Sequence, residues 1–177
     1  MIGDTELRRR AERVRLILMD CDGVLTDGRI ILLPEGDEIK FFSALDGQGL
    51  KLAARAGLHT GIITIRRSRA LERRAAELHV HHLYQDVKDK LEAYSAVLAE
   101  EAVTNEDVAY IGDDLPDLPP MRRAGLAIAV CNAVEEVKQA AHYVTRVQGG
   151  QGAVREAIEL ILKAQGKWES LLAEYRR

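Results

Sequence analysis

Two carboxylates stand two residues apart at the end of an apolar run, Leu16-Ile17-Leu18-Met19-Asp20-Cys21-Asp22, and Gly23-Val24-Leu25-Thr26-Asp27-Gly28 follows at once. The run is apolar on both faces, the pattern of a buried parallel strand. Ligands in open α/β sheets gather at the carboxyl ends of strands, where Asp20 and Asp22 fall. Alternation along an extended chain turns both side chains to one side. Carboxylates held that close repel unless a cation lies between them or one keeps its proton. The pair is therefore a candidate divalent-metal site and a candidate nucleophile with its acid. A second acidic group, Gly112-Asp113-Asp114-Leu115-Pro116-Asp117, pairs a glycine turn with clustered acids at a strand end, again a metal signal.

The elements that position these groups follow from the hydrophobic pattern. Residues 1–13 are polar and helix-prone, and 14–19 read as the first strand. Residues 29–33, a turn at 34–37 and 38–43 read as a β-hairpin, either an edge of the main sheet or a short flap over the site. Its place directly after the first strand favours the flap, and there is no room for a large cap domain. A helix opens at Asp46-Gly47-Gln48-Gly49 and runs to Ala56, with Gly57 as its C-cap. Strands are expected at 58–65, 82–84, 108–111, 126–130 and 143–144. Helices are expected at 68–78 behind a Ser68 cap, 88–102, 115–123 around three prolines, 135–141 and 152–165. A polar tail with Trp168 closes the chain. Strands alternating with helices predict a doubly wound parallel sheet in one domain over residues 1–177.

The stretch Asp20-x-Asp22-Gly-Val-Leu-Thr-Asp27-Gly28 resembles the first motif of the haloacid dehalogenase phosphatases. Its Leu25-Thr26-Asp27-Gly28 ending is similar to the branch that dephosphorylates 3-deoxy-octulosonate 8-phosphate (KDO 8-phosphate). Thr64, Lys90 and Gly112-Asp113-Asp114 resemble the second, third and fourth motifs in order. The resemblance implies an aspartyl-phosphate formed on Asp20 and hydrolysed by water. Two anions must meet in that step, so a cation is needed, and Mg²⁺ suits oxygen ligands. The resemblance gives the metal to the side chains of Asp20 and Asp113 and the carbonyl of Asp22. The Asp22 side chain is then free to protonate the leaving alkoxide and later deprotonate water, a role that a crowded acidic site suits. Thr64 would donate to a phosphoryl oxygen, and Lys90 would neutralise nucleophile and phosphoryl charge. Lys88 competes for that position. Asp114 and Asp117 would hold waters or Lys90 from behind.

The branch's sugar contacts carry over onto Asp22, Ser43, Ala44, Leu45, Asp46, Gly47, Lys51, Arg66, Arg74 and Lys90, with arginine forks suited to a sugar-acid carboxylate. The segment Tyr143-Val144-Thr145-Arg146 to Gly149-Gly150-x-Gly152-Ala153-Val154-Arg155-Glu156 is similar to the same branch, in which it lies near a subunit contact. Three positions depart from the pattern. Ile65 stands where glycine is usual and cannot easily take positive φ. Leu45 stands where arginine is common, and Lys51 replaces a fork by a point charge. A small flap cannot exclude water alone, so a neighbouring subunit of a homotetramer would close the site. Alternatives are a nonulosonate 9-phosphate phosphatase, which Arg66 opposes, a promiscuous small-phosphoester phosphatase, which Ile65 and Leu45 favour, and a non-catalytic scaffold, which the joint presence of Asp20, Asp22, Lys90 and Asp113 opposes.

The bulk properties fit. A 177-residue chain with 47% hydrophobic and 30% charged residues is long enough for a real core and has the balance of a globular protein. Arginine pairs occur at 66–67, 73–74 and 122–123 and a triplet at 8–10, but acids intersperse them and net charge is −3, so no nucleic-acid footprint is present. No apolar stretch reaches membrane-spanning length, and the short run after 8–10 makes a poor signal peptide. Cys21 and Cys131 read as free thiols that suit a reducing cytoplasm. His79, His81 and His82 read as a surface loop entering a strand, without cysteine or acid at metal-ligand spacing.

Overall fold

Leu16–Met19 (β1) is buried at all four positions and lies at the middle of the sheet. The computed structural model describes residues 3–34, 36 and 38–176. Helix α1 (Asp4–Arg13) leads into β1. The hairpin strands β2 (Ile31–Leu32) and β3 (Glu38–Ile39) follow, then α2 (Ala44–Arg55), β4 (His59–Ile63), α3 (Arg69–Glu77), β5 (His82–Tyr84) and α4 (Lys90–Glu101). The second half runs β6 (Val108–Gly112), α5 (Leu118–Met121), β7 (Leu126–Ala129), α6 (Glu135–Ala140), β8 (Tyr143–Val144), α7 (Ala153–Ala164) and α8 (Trp168–Ala173).

The sheet order is β5-β4-β1-β6-β7-β8, and every pairing is parallel. The chain builds outward from β1 through β4 to β5, then returns across β1 to start the other half at β6. That reversal is the topological switch point where α/β sheets bind ligands. Asp20 follows β1 and Asp113 follows β6, so the two acids flank the reversal on adjacent strands. Helix α7 packs against α1 and α2, and α5 packs against α4 and α6. Both layers enclose a core built on Ile17, Leu18, Ile62, Tyr110, Ile111, Ile128, Ile158 and Ile161.

The expected caps hold: Ser68 Oγ accepts from Leu71 N at 3.3 Å, and Gly57 takes φ 78°. Helix α2 begins two residues before the expected Asp46 because the Ser43 hydroxyl accepts from Leu45 N at 3.1 Å. Asp89 caps α4 in the same way, through Leu91 N at 2.8 Å, so Lys90 and not Lys88 opens that helix. The hairpin stands apart as its own two-stranded antiparallel sheet, pairing Ile31 with Ile39 and Leu32 with Glu38. Its strands are shorter than expected, and Glu35 and Asp37 of the predicted turn lie outside the described residues, as do residues 1, 2 and 177. The polar tail forms α8: Leu171 is buried, and Arg155 and Lys163 lie over the Trp168 ring at 5.3 and 5.1 Å. The histidines serve structure. His81 Nδ1 accepts from Thr60 N, its ring stacks on His59, and His59 and His82 both bond Glu101 at the end of α4.

Candidate active site

The loop after β1 is wound around Thr26. Its hydroxyl accepts from Gly23 N at 3.3 Å and Gly28 N at 3.2 Å, while Leu25 N and Thr26 N reach back to Cys21 O at 2.9 and 3.1 Å. Gly23 takes φ 92°, and a Cβ there would sit 2.1 Å from Asp113 Oδ2. Only glycine lets this backbone lie against the acid of the neighbouring strand. The loop is backed from the far end of the chain: Gly150 N donates to Val24 O at 2.9 Å, and a Cβ on Gly149 would fall 1.7 Å from Gly23 O. The glycines of that C-terminal segment thus shape the loop that carries Asp20 and Asp22.

Asp20, Asp113 and Asp117 bring carboxylate oxygens within 4.8 Å of one another. Lys90 Nζ reaches Asp20 Oδ1 at 2.9 Å and Asp117 Oδ1 at 2.7 Å. Asp117 is wholly buried, and accepts from Tyr110 Oη at 3.0 Å and from the backbone N–H of Asp113 and Asp114 at 3.0 and 3.3 Å. It therefore aims both the lysine and the loop that bears Asp113. Asp114 does not share this role: it is exposed, and its carboxylate caps the turn at Leu115 N. Burial pushes the Asp113 carboxyl up to about 8, and the charge of Asp20 adds to it. Burial also raises Asp20, with Asp117 adding and Lys90 opposing. Burial alone would depress the Lys90 ammonium, but Asp117 and Asp20 more than offset it and hold it above the usual lysine range.

The crowding of acids is at Asp20 and Asp113, not at Asp22 as expected. Asp22 faces cations: Lys40 Nζ bonds its Oδ1, and Arg66 Nε lies 3.8 Å from its Oδ2. Lys40 also reaches Glu38 Oε1 at 3.1 Å, and Arg66 Nη2 bonds Glu38 Oε2 at 2.8 Å. Lys40 and Glu38 come from the hairpin and carried no role in the sequence reading. The signal was there, in the alternation Glu38, Ile39, Lys40, Phe41, which puts charges on one side and apolar groups on the other. Thr64 is buried just past β4, its N–H on Tyr84 O and its Oγ1 accepting from Arg66 N at 3.4 Å.

The remaining expected sugar contacts are placed as follows. Asp46 is buried at the first turn of α2 and accepts from Gly152 N and Arg155 N at 3.2 and 2.9 Å, which caps α7. Arg74 donates to Ser43 O at 3.3 Å, packs on Gly47 and pairs with Glu77 at 2.8 Å. Lys51 is exposed on α2 beside Glu77. Ser43, Gly47, Lys51 and Arg74 thus gather between α2 and α3. Ala44 opens α2, and Leu45 and Ile65 are exposed.

Three buried polar atoms of the central group have no hydrogen-bond partner among the described residues: Asp22 Oδ2, Asp113 Oδ1 and Arg66 Nε. Orphaned groups of this kind are costly unless a ligand completes them. Asp113 Oδ1 is a carboxylate oxygen beside Asp20, and a hard divalent cation is the ligand such an oxygen accepts, whereas Asp22 Oδ2 faces Arg66 Nε at 3.8 Å. The donor set therefore fits a magnesium-type ion, with Lys90 supplying a second positive charge.

The model of the haloacid dehalogenase-like hydrolase family matches residues 69–158. The chain is 47% identical over 161 residues to the 3-deoxy-D-manno-octulosonate 8-phosphate phosphatase KdsC of Yersinia pestis, covering 91% of this chain and 86% of that one. A probable YrbI family phosphatase from Pseudomonas syringae pv. phaseolica superposes with a TM-score of 0.96 at 48% identity, covering 98% of this chain and 99% of that one. The 3-deoxy-D-manno-octulosonate 8-phosphate phosphatase of Moraxella catarrhalis, solved in complex with a magnesium ion, a phosphate ion and a KDO molecule, superposes with a TM-score of 0.95 at 42% identity over 98% of this chain and 99% of that one.

Proposed function

Because the chain belongs to the haloacid dehalogenase-like hydrolases, and among them to the KDO 8-phosphate phosphatases, we propose that Asp20 is the nucleophile with which it carries out that hydrolysis. The enzyme is a phosphoric monoester hydrolase, its substrate is a phosphorylated sugar acid, and its cofactor is Mg²⁺. The observation that carries the residue assignment is the Lys90 bridge: one buried ammonium joins Asp20 to Asp117 at the sheet's switch point.

In the proposed reaction Asp20 attacks phosphorus, the bond from phosphorus to the C8 oxygen breaks, and Asp22 gives that oxygen a proton. Asp22 then takes a proton from the water that hydrolyses the aspartyl-phosphate. Thr64 donates to a phosphoryl oxygen, and Lys90 offsets charge on the nucleophile and the phosphoryl group. Asp20, Asp113 and the Asp22 carbonyl would hold Mg²⁺, which when bound offsets the charge of the two anions that must meet. Arg66, beside Asp22 and with no hydrogen bond at its Nε among the described residues, is the assigned partner for the sugar-acid carboxylate.

The proposed assembly is a homotetramer in which a neighbouring subunit covers the site. Its support is the hairpin, which turns Ile30, Leu32, Ile39 and Phe41 outward. Among the described residues no helix is long and apolar enough to cross a membrane. A cytoplasmic enzyme that releases KDO for lipopolysaccharide is the setting this reading proposes.

The test is phosphate release from KDO 8-phosphate, a nonulosonate 9-phosphate and hexose phosphates, with and without Mg²⁺. Strong preference for the first, lost on chelation and lowered on the order of 10⁴-fold in Asp20→Asn, is expected. Broad weak turnover would favour a promiscuous phosphatase with an apolar rim at Leu45 and Ile65, both of which are exposed.

A further inference from the structure

A lysine ammonium seldom stays buried unless its neighbours require it. The Lys40 side chain is 2% exposed, although it directly follows the short hairpin strand β3 and stands between the outward-facing Ile39 and Phe41. Leu32 and Phe41 are 70% and 66% exposed, so the hairpin has buried its charge and exposed its apolar groups, the reverse of an ordinary hairpin. The inward side chains close a ring of alternating sign. Lys40 bonds Asp22 Oδ1 and Glu38 Oε1, Glu38 Oε2 bonds Arg66 Nη2, and Arg66 Nε faces Asp22 Oδ2. A charge ring of this kind fixes geometry more than it adds stability, because desolvation cancels much of the attraction.

The ring treats the two oxygens of Asp22 differently. Oδ1 is held by Lys40, while Oδ2 is buried with no hydrogen-bond partner among the described residues. We propose that Lys40 is the positioning residue of the proton-transfer step: its ammonium fixes Asp22 through Oδ1 and so assigns Oδ2 as the atom that passes the proton. The inference rests on the reading of Asp22 as the acid and base. In the first step the Asp20–phosphorus bond forms, the bond from phosphorus to the C8 oxygen breaks, and the proton on Oδ2 moves to that oxygen. Lys40 exchanges no proton and touches no substrate atom. Because Lys40 and Glu38 lie on the hairpin, the same contacts tie the position of the flap to the orientation of the acid.

The leaving group tests this. An alkoxide needs a proton to depart, whereas p-nitrophenolate departs without one, so a misaligned acid harms only the first. Lys40→Met, Lys40→Arg and Asp22→Asn are compared with wild type on KDO 8-phosphate and on p-nitrophenyl phosphate, with the second read as the first-turnover burst. Lys40→Met is expected to lower kcat on KDO 8-phosphate on the order of 10²-fold with KM within about 3-fold, and to slow the nitrophenolate burst less than about 3-fold. Lys40→Arg is expected to recover about tenfold of that loss. Lys40→Gln is held to the same split if a thermal melt shows that Lys40→Met does not fold. Equal slowing of both substrates, or a rise in KM alone, would overturn the proposal. If Asp22→Asn itself shows no split between leaving groups, the acid assignment fails instead, and the two failures are distinguishable.

Discussion

Asp113 is where charge is least compensated: it is buried beside Asp20, and its Oδ1 has no partner among the described residues. Its carboxyl stands near 8, while an unfolded aspartate sits near 4. Between these values the folded chain keeps a proton that the unfolded chain has lost, so metal-free stability falls as pH rises through the window. Mg²⁺ needs the deprotonated ligands, so its stabilising effect grows over the same range. Thermal melts of chelated protein are expected to show a lower Tm at about pH 8 than at about pH 6, with Mg²⁺ shrinking or reversing the difference. In Asp113→Asn most of the metal-free slope disappears. A slope unchanged in that variant would remove Asp113 from the account.

At the scale of elements, the loop after β1 depends on a partner more than a hundred residues away. Gly149 lies so close to Gly23 O that any side chain must displace backbone. Gly149→Ala is expected to cost about 3 kcal/mol, the upper end for overpacking, and roughly 6–12 °C in Tm. Activity is expected to fall with it, because the displaced atoms belong to the loop that presents Asp20 and Asp22; unaltered Tm and kcat/KM would show that this packing is dispensable. The same region shows what the sequence could convey. The strand, its terminal acids and the acids after β6 are local patterns, and they were legible as such. Lys90 was legible only through its resemblance to the third motif, and the Asp89 cap that sets it at the start of α4 was not read. The partners of Asp46, Tyr110 and Lys40 were not legible, because each is brought near only by folding: α7 for Asp46, the buried Asp117 for Tyr110, and Asp22 for Lys40, whose inward face alone could be read from the hairpin's alternation. A motif can mark which residues meet a ligand, but capping and charge rings between distant segments leave no spacing to read. The crowding assigned to Asp22 failed for this reason, since its cationic neighbours come from the hairpin and from the loop after β4.

For the whole molecule, the hairpin's reversed pattern joins the site to the assembly. Its charged side chains complete the surroundings of Asp22, and its apolar side chains form a surface that water disfavours. Light scattering is expected to give a mass near four chains. Introducing charge on the outward face with Leu32→Glu and Phe41→Glu is expected to give smaller species with activity reduced at least about tenfold, the effect of opening the site to water. A wild-type monomer with full activity would break the link between assembly and catalysis. The most direct test of the central claim is to quench turnover of KDO 8-phosphate within milliseconds, reduce with borohydride, and sequence the chain by mass spectrometry. An aspartyl-phosphate is reduced to homoserine. The account predicts homoserine at position 20, dependent on both substrate and Mg²⁺; phosphate release with Asp20 left unreduced and the label on another residue would contradict it.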